Sequence, residues 1–442
     1  MRQRTIFLFW LPLFTSWLLM TLEGPIVSAA INRLPNEIVM LAAMGIVVSL
    51  SVTIESPIIN MLATSTALSN DRPSYLLLRK FTIHWMILLT GVSILLAWTS
   101  LFDLLIVDLM GIPEEVAFWV RPGLRIMTFW SAAIAWRRFL QGVMIRYNQT
   151  RKVAWGTVVR LLSSGGTVIV LATSSQLPGV VIGSLALMAG VISEAIFASI
   201  AVHPILTKEL SPSGPISPEK PLTYKGLSQF HLPLAATSVL LLLIQPMVAF
   251  TLARSPQPTQ SLAAWPIVFQ VMLVARAAAF ALPEVIIALT DGRATFLPLR
   301  RFTYTLVIVN SAAMLLFVLT PLSDFYLLRI QDADPAIANL AKDGLLIFLP
   351  LPALAILISW IRGLLINRRV TTAVNVAMII NLILTITILI FSVSYQWPGI
   401  PGAAVALSLS AAVELIYISW RVGGALDFQF RWFEFRKNPV PS

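Results

Sequence analysis

The stretch FWLPL at residues 9–13 returns as FHLPL at residues 230–234, 221 positions later (230 − 9). The same spacing carries Pro25 and Arg33 onto Pro246 and Arg254, and RKFT at 79–82 onto RRFT at 300–303. It also carries Thr99, Leu101 and Asp103 onto Thr320, Leu322 and Asp324, and Gly142 onto Gly363. Pro178, Gly179 and Glu194 meet Pro398, Gly399 and Glu414 at a spacing of 220. One match in an apolar chain is chance, but a series in register over the whole length is a duplication. The chain therefore reads as two homologous halves. The polar, proline-rich segment SPSGPISPEKP between them has the composition of a flexible linker.

Each half is too apolar to be soluble. Of the 442 residues 57% are hydrophobic and 12% charged, against roughly 25% charged in a soluble domain. A spanning helix needs about 20 residues. Apolar windows predict twelve, near residues 6–31, 38–67, 78–102, 117–146, 153–174, 179–205, 229–253, 262–289, 301–322, 344–366, 371–392 and 399–421. The expected fold is an all-α polytopic membrane protein built from two parallel six-helix repeats. Residues 1–206 form one bundle, 207–227 a cytoplasmic linker, 228–422 the second bundle and 423–442 a cytoplasmic tail. Because six is even, both repeats enter the bilayer from the same face. With a cytoplasmic N-terminus that face holds 23 of the 31 lysines and arginines. The positive-inside rule then puts both termini in the cytoplasm of a plasma (inner) membrane protein. The net charge of +11 is thus an orientation signal, and no nucleic-acid partner is expected. Cysteine is absent, and His84, His203 and His231 lie far apart, so no metal site and no cofactor are expected.

Two six-helix repeats with a cytoplasmic linker suit the major facilitator fold or the multidrug/oligosaccharide-lipid/polysaccharide (MOP) flippase superfamily. The facilitator signature is missing, since the loop after the second span reads SNDRPSYLLLRK. Instead FWLPL…EGPIVSAAINRL, LLLRKFTIHWMILL, DLLIVDLMGIPEEVAFWVRPGLRIMTFW and WRRFLQGVMIRYNQTRKV resemble the progressive ankylosis protein family. That family is a branch of the MOP superfamily beside the multidrug and toxic-compound extrusion (MATE) transporters. The resemblance implies a V-shaped, MATE-like pair of bundles. It implies secondary export, of small organic anions such as pyrophosphate, ATP or citrate in the ankylosis branch. MATE relatives export cationic drugs against proton or sodium entry.

Charges inside the bilayer are costly and mark sites. The candidates for a substrate or ion cavity are Glu23, Glu55, Arg125 and Arg276. Arg160, Glu194 and Glu414 are candidates for structural or coupling pairs, Arg160 with Glu194 among them. Glu194 and Glu414 recur in both halves, as architectural residues do. Glu23 breaks the symmetry, facing Ile244 across the repeat. Matching Pro57 to Pro283 sets Glu55 against Ala281 and Arg276 against Leu50. Arg137–Arg138 and Arg368–Arg369 read as topology anchors at span ends, and His231 as a group near the membrane surface. Glu23 is the expected carrier of a coupling proton.

Three transport functions follow. The leading one is export of an organic or phosphate-bearing anion by alternating access, with Arg125 and Arg276 as fork-shaped anion partners. The others are proton- or sodium-coupled efflux of cationic drugs and flipping of a lipid-linked saccharide. The partners are membrane lipid and a small-molecule substrate. No enzyme is expected, because no Ser-His-Asp or clustered-histidine arrangement appears.

Overall fold

The computed structural model describes residues 2–211, 221–290, 292–368 and 370–425, and the described residues form helices and turns with no strand. In the first half, α1 is Gln3–Ile31, and α2 runs Glu37–Glu55, through a 3-10 turn at Ser56–Ile58, into Met61–Leu68. Then come α3 (Arg72–Trp98), α4 (Glu114–Ile126 and, past a 3-10 turn, Trp130–Arg146), α5 (Thr150–Ser174) and α6 (Gly179–Lys208). In the second half α7 is Tyr224–Leu242 plus Ile244–Leu252, and α8 is Pro258–Phe280 plus Leu282–Leu289. They are followed by α9 (Gly292–Leu319), α10 (Pro335–Ile347 plus Leu351–Asn367), α11 (Thr371–Ser394) and α12 (Gly399–Ala425).

These bounds restate the repeat. Gln3 and Tyr224, Glu37 and Pro258, Glu114 and Pro335, and Thr150 and Thr371 all open helices 221 residues apart. Even a rare feature recurs: a π-helical turn follows α3 at Asp103–Leu109 and follows α9 at Phe325–Ile330. The register does not change inside the second helices, because Glu37 and Leu68 match Pro258 and Leu289. Pro57 therefore corresponds to Ala278, not Pro283, and the two prolines sit on successive turns of one break. Glu55 and Arg276 are consequently equivalent positions with opposite charge, which corrects the pairing set by the prolines.

Ten helices among the described residues are long and apolar enough to cross a membrane, and α10 adds an eleventh if its two parts, bent by 45°, are one span. The twelfth expected span is α4, where Glu114, Glu115, Arg121, Arg125, Arg137, Arg138 and Arg146 dilute the apolar run. The fold is that of an integral membrane protein. Large apolar side chains point outward all round it, such as Leu162 at 70% and Ile308 at 68% exposure. Such a belt suits hydrocarbon, not water. Helix α6 reaches Lys208 and α7 starts at Tyr224, both inside the expected linker. The linker's centre (with Lys220) and the tail beyond 425 lie outside the described residues.

The halves join through α1 and α2 on one side and α7 and α8 on the other, with α8 packed along both α1 and α2. Gly45 lets α2 and α8 close, since a Cβ there would stand 2.7 Å from Pro266 Cγ.

Candidate substrate and coupling site

Within the first half, charges from four helices converge. Glu194 of α6 is fully buried. It accepts a 2.7 Å hydrogen bond from Arg137 Nη1 of α4 and a 2.9 Å bond from Gln141 Nε2 one turn on. Arg160 of α5 lies 3.8 Å from the same carboxylate. Its principal partner is Glu23 of α1: Nε donates to both carboxylate oxygens at 3.1 and 3.0 Å, and Nη2 to Oε2 at 2.5 Å. Glycine makes the approach possible, because a Cβ on Gly190 would sit 3.0 Å from both Glu23 Oε1 and Ser164 Cβ. The indole of Trp130 lies 5.7 Å from the Arg160 guanidinium and adds a cation–π contact. Charges this deep are tolerated only when paired and hydrogen-bonded.

Glu55 joins this group without an ion pair. It is 8% exposed, and its Oε2 has no hydrogen-bond partner among the described residues. It lies within electrostatic reach of Arg137, Arg138 and Arg160 and near the Trp130 indole N–H. It ends the first part of α2, where the 3-10 turn at Ser56–Ile58 interrupts the helix.

The second half repeats the plan with other residues. Glu414 of α12 is held by Arg362 of α10 and, at 2.9 Å, by Asn381 Nδ2 of α11. Arg362 occupies the position of Gln141 and Asn381 that of Arg160, so each half ties its sixth helix to its fourth and fifth. Arg276, in the last turns of α8 before its break at Ala281, lies within electrostatic reach of Arg362 and Glu414. Its Nε bonds nothing, and its guanidinium lies 5.4 Å from the Phe280 ring. It has no ion pair among the described residues.

Six of the seven residues singled out in the sequence thus gather in two clusters: Glu23, Glu55, Arg160 and Glu194 in one half, Arg276 and Glu414 in the other. Arg125 stands apart. It is exposed near the face opposite the termini, stacked 4.8 Å from Trp98, with Nε donating to Ala97 O at 3.3 Å. It borders a surface cleft of about 650 Å³ with Asp103, Asp108, Glu114 and Arg121. Arg137 is no surface anchor: it lies more than one turn inside its helix and clamps a buried carboxylate, as Arg362 does in the second half. Arg369, paired with Arg368 in the sequence reading, lies outside the described residues. His231 likewise lies deep, fully buried between Phe81 and Trp85 at ring distances of 5.4 and 5.8 Å. Nothing in the local sequence marks these three, because each partner comes from a different helix.

Among the bonds that join the halves, one pair toward the termini and one pair at the far face obey the repeat. Toward the termini, Trp10 Nε1 donates to Ala278 O at 3.3 Å, and the equivalent His231 Nε2 meets the equivalent Pro57 O at 3.1 Å. His231 Nδ1 also meets Thr64 Oγ1 at 2.9 Å. At the far face Arg33 Nη2 donates to the carbonyls of Arg329 and Ile330 at 3.3 and 2.9 Å. Its equivalent, Arg254, clasps the carbonyls of Met110 and, at 2.7 Å, Leu109. Each arginine caps the final carbonyls of the other half's π-helical turn. A π-turn leaves such groups unpaired within its own helix. The cleft between the halves is therefore latched at both ends.

The sequence matches no family model and no curated relative. The fold has solved counterparts. Lipid II flippase MurJ in an inward closed conformation superposes with a TM-score of 0.70 at 14% identity, over 94% of this chain and 87% of that one. A MOP-superfamily transporter from Pyrococcus furiosus, described by a reverse polarity of its binding pocket, gives 0.63 at 13% identity over 96% of both chains. The Vibrio cholerae MATE transporter VcmN, in a mutant form, gives 0.64 at 13% identity over 96% of this chain and 98% of that one. The architecture is the fold that the VcmN MATE transporter and the MurJ flippase share.

Proposed function

We propose that this protein is an alternating-access secondary transporter that exports a small organic or phosphate-bearing anion, as the resemblance to the ankylosis branch implies. The carrying observation is the charge balance at the repeat-equivalent positions Glu55 and Arg276. Arg276 is not ion-paired among the described residues, and its neighbours Arg362 and Glu414 are already paired with each other. The second half therefore offers an unmatched guanidinium, whose fork geometry suits a carboxylate or phosphate. The basic face that carries the termini is the cytoplasmic side in this reading.

The test is counterflow of labelled pyrophosphate or citrate into proteoliposomes. Arg276→Ala is expected to abolish uptake, and Arg276→Lys to keep a weakened remnant because an ammonium lacks the fork. Undiminished uptake by Arg276→Ala removes the residue from the site. Uptake of a cationic dye by the intact protein, with none of either anion, selects drug efflux instead.

Coupling to protons or sodium falls to a carboxylate. Glu23 is gripped three times by Arg160, whereas Glu55 keeps an oxygen without a partner at a helix break. This supports Glu55 as the coupling residue in place of Glu23. Glu55→Gln is expected to lose transport driven by a pH or sodium gradient while keeping counterflow, which needs no gradient. Gradient-driven transport at the normal rate in Glu55→Gln would return the role to Glu23.

A further inference from the structure

Between the halves lies a cavity of about 670 Å³ that is separate from both charge clusters. Leu50 and Ile54 of α2, Leu96 of α3, Met247 of α7 and Leu389 of α11 line it, with Leu105 of the first π-turn. Among the described residues no charged one borders it. Its two hydroxyls are engaged: Thr251 donates back to Met247 O at 3.0 Å, and Thr53 meets Ser49 O at 2.7 Å on its own helix and Leu242 O at 3.4 Å across the seam. The cavity offers a water-soluble solute nothing to bind.

It does open sideways. Leu95 on α3 and Ile390 on α11, both at its border, are 55% and 58% exposed on the belt that meets hydrocarbon. Leu109 and Met110, whose carbonyls Arg254 clasps, line it toward the far face.

The repeat shows that this space is particular to one side. At equivalent positions, Phe317 replaces Leu96, Tyr326 replaces Leu105 and Gln331 replaces Met110. Those larger residues bind one another: Gln331 Nε2 donates to Tyr326 Oη at 3.0 Å and to Pro25 O at 3.2 Å. Tyr326 also packs edge-on to Phe317 at 5.7 Å. One seam between the halves is plugged, and the other is hollow and greasy.

We infer that the hollow seam is a binding site for one hydrocarbon chain of a membrane lipid, entering laterally between α3 and α11. The volume lies within the usual range for a single ligand, about 300–1,000 Å³. An apolar cavity of this kind stays dry, and the solvent at its mouth is lipid. The site is independent of the substrate's charge, so it stands whether or not Arg276 meets an anion.

The experiment reconstitutes the full chain in phosphatidylcholine vesicles doped with phosphatidylcholine bearing a diazirine on one acyl chain. After irradiation, adducts are mapped by mass spectrometry. Adducts on Leu96, Leu105 and Leu389 are expected to saturate as the photolipid fraction rises, while those on Ile308, exposed on α9, rise in proportion. Leu96→Phe with Leu105→Tyr, which copies the plugged seam, is expected to lower the cavity adducts severalfold and leave those on Ile308 unchanged. Saturation is read on the unaltered protein, so it decides even if the double variant does not fold. Proportional labelling at both places overturns the inference, as does equal labelling in a folded double variant. Blockage of the cavity by a naphthalene dye, without photolipid saturation, would assign it to planar solutes and also overturn it.

Discussion

Arg137→Ala is expected to destabilise the protein by about 3–5 kcal/mol, the usual cost of stripping one partner from a buried ion pair. Glu194 would remain fully buried with one neutral donor, Gln141 at 2.9 Å, and a guanidinium 3.8 Å away that Glu23 already holds. Glu194→Ala is expected to cost about as much, because it strands Arg137, whose side chain is 4% exposed. The double replacement Arg137→Leu with Glu194→Leu is expected to cost much less than either single change. Removing both charges abolishes the desolvation penalty and returns apolar contact, and Arg160 retains Glu23. Unfolding of detergent-solubilised protein, followed by far-ultraviolet circular dichroism, measures all three. Singles costing under about 1 kcal/mol, or a double as costly as their sum, would show that the cluster is hydrated and does not tie α4 to α6.

The duplication was legible because it is a one-dimensional property. FWLPL and FHLPL, RKFT and RRFT, and the final glutamates fix a register that the helix bounds then follow. The register failed at one place, α2 and α8, where proline drew Pro57 onto Pro283. Both prolines break the same helix, but on adjacent turns, and a break can accept proline at either. The identity of the charged residues was legible as well, since charge in a span stands out against its surroundings. Their pairing was not. Arg137 reaches Glu194 across 57 residues and Arg160 reaches Glu23 across 137, and only the packing of α1, α4, α5 and α6 brings them within bonding distance. Arg137 looked like an anchor for the same reason. Arg33 and Arg254 were seen as a repeated pair, yet their hydrogen-bond partners are backbone carbonyls, which no side-chain pattern reveals; Arg33 adds only a long 3.9 Å ion pair to Asp332.

Those two arginines define the second large effect. Arg33 is 46% exposed at its side chain, so each clasp is credited with only about 1 kcal/mol, the modest end for hydrogen bonds to a charged donor. The two clasps sit on separate seams and share no partner, so their contributions add. Arg33→Ala or Arg254→Ala is then expected to raise the ratio of open to closed far face about fivefold. The double change is worth about 2 kcal/mol, or about thirtyfold. The reporter is Ser28→Cys in this cysteine-free chain. Ser28 is 3% exposed beneath the Arg33 clasp and hydrogen-bonded across the cleft to Gln270. A membrane-impermeant maleimide reaches it only when the far face parts, so the labelling rate follows the open fraction. In right-side-out vesicles the double variant should label about thirtyfold faster from outside. Faster labelling only from the cytoplasmic side would invert the proposed orientation. A double variant no faster than either single would mean that one seam alone holds the face shut, while no acceleration in any variant would remove the arginines from gating. A transporter that alternates must offset closure on one side with opening on the other. The far-face clasps therefore compete with the Trp10–Ala278 and His231–Pro57 bonds near the termini, and breaking the first pair lets the second set the resting state.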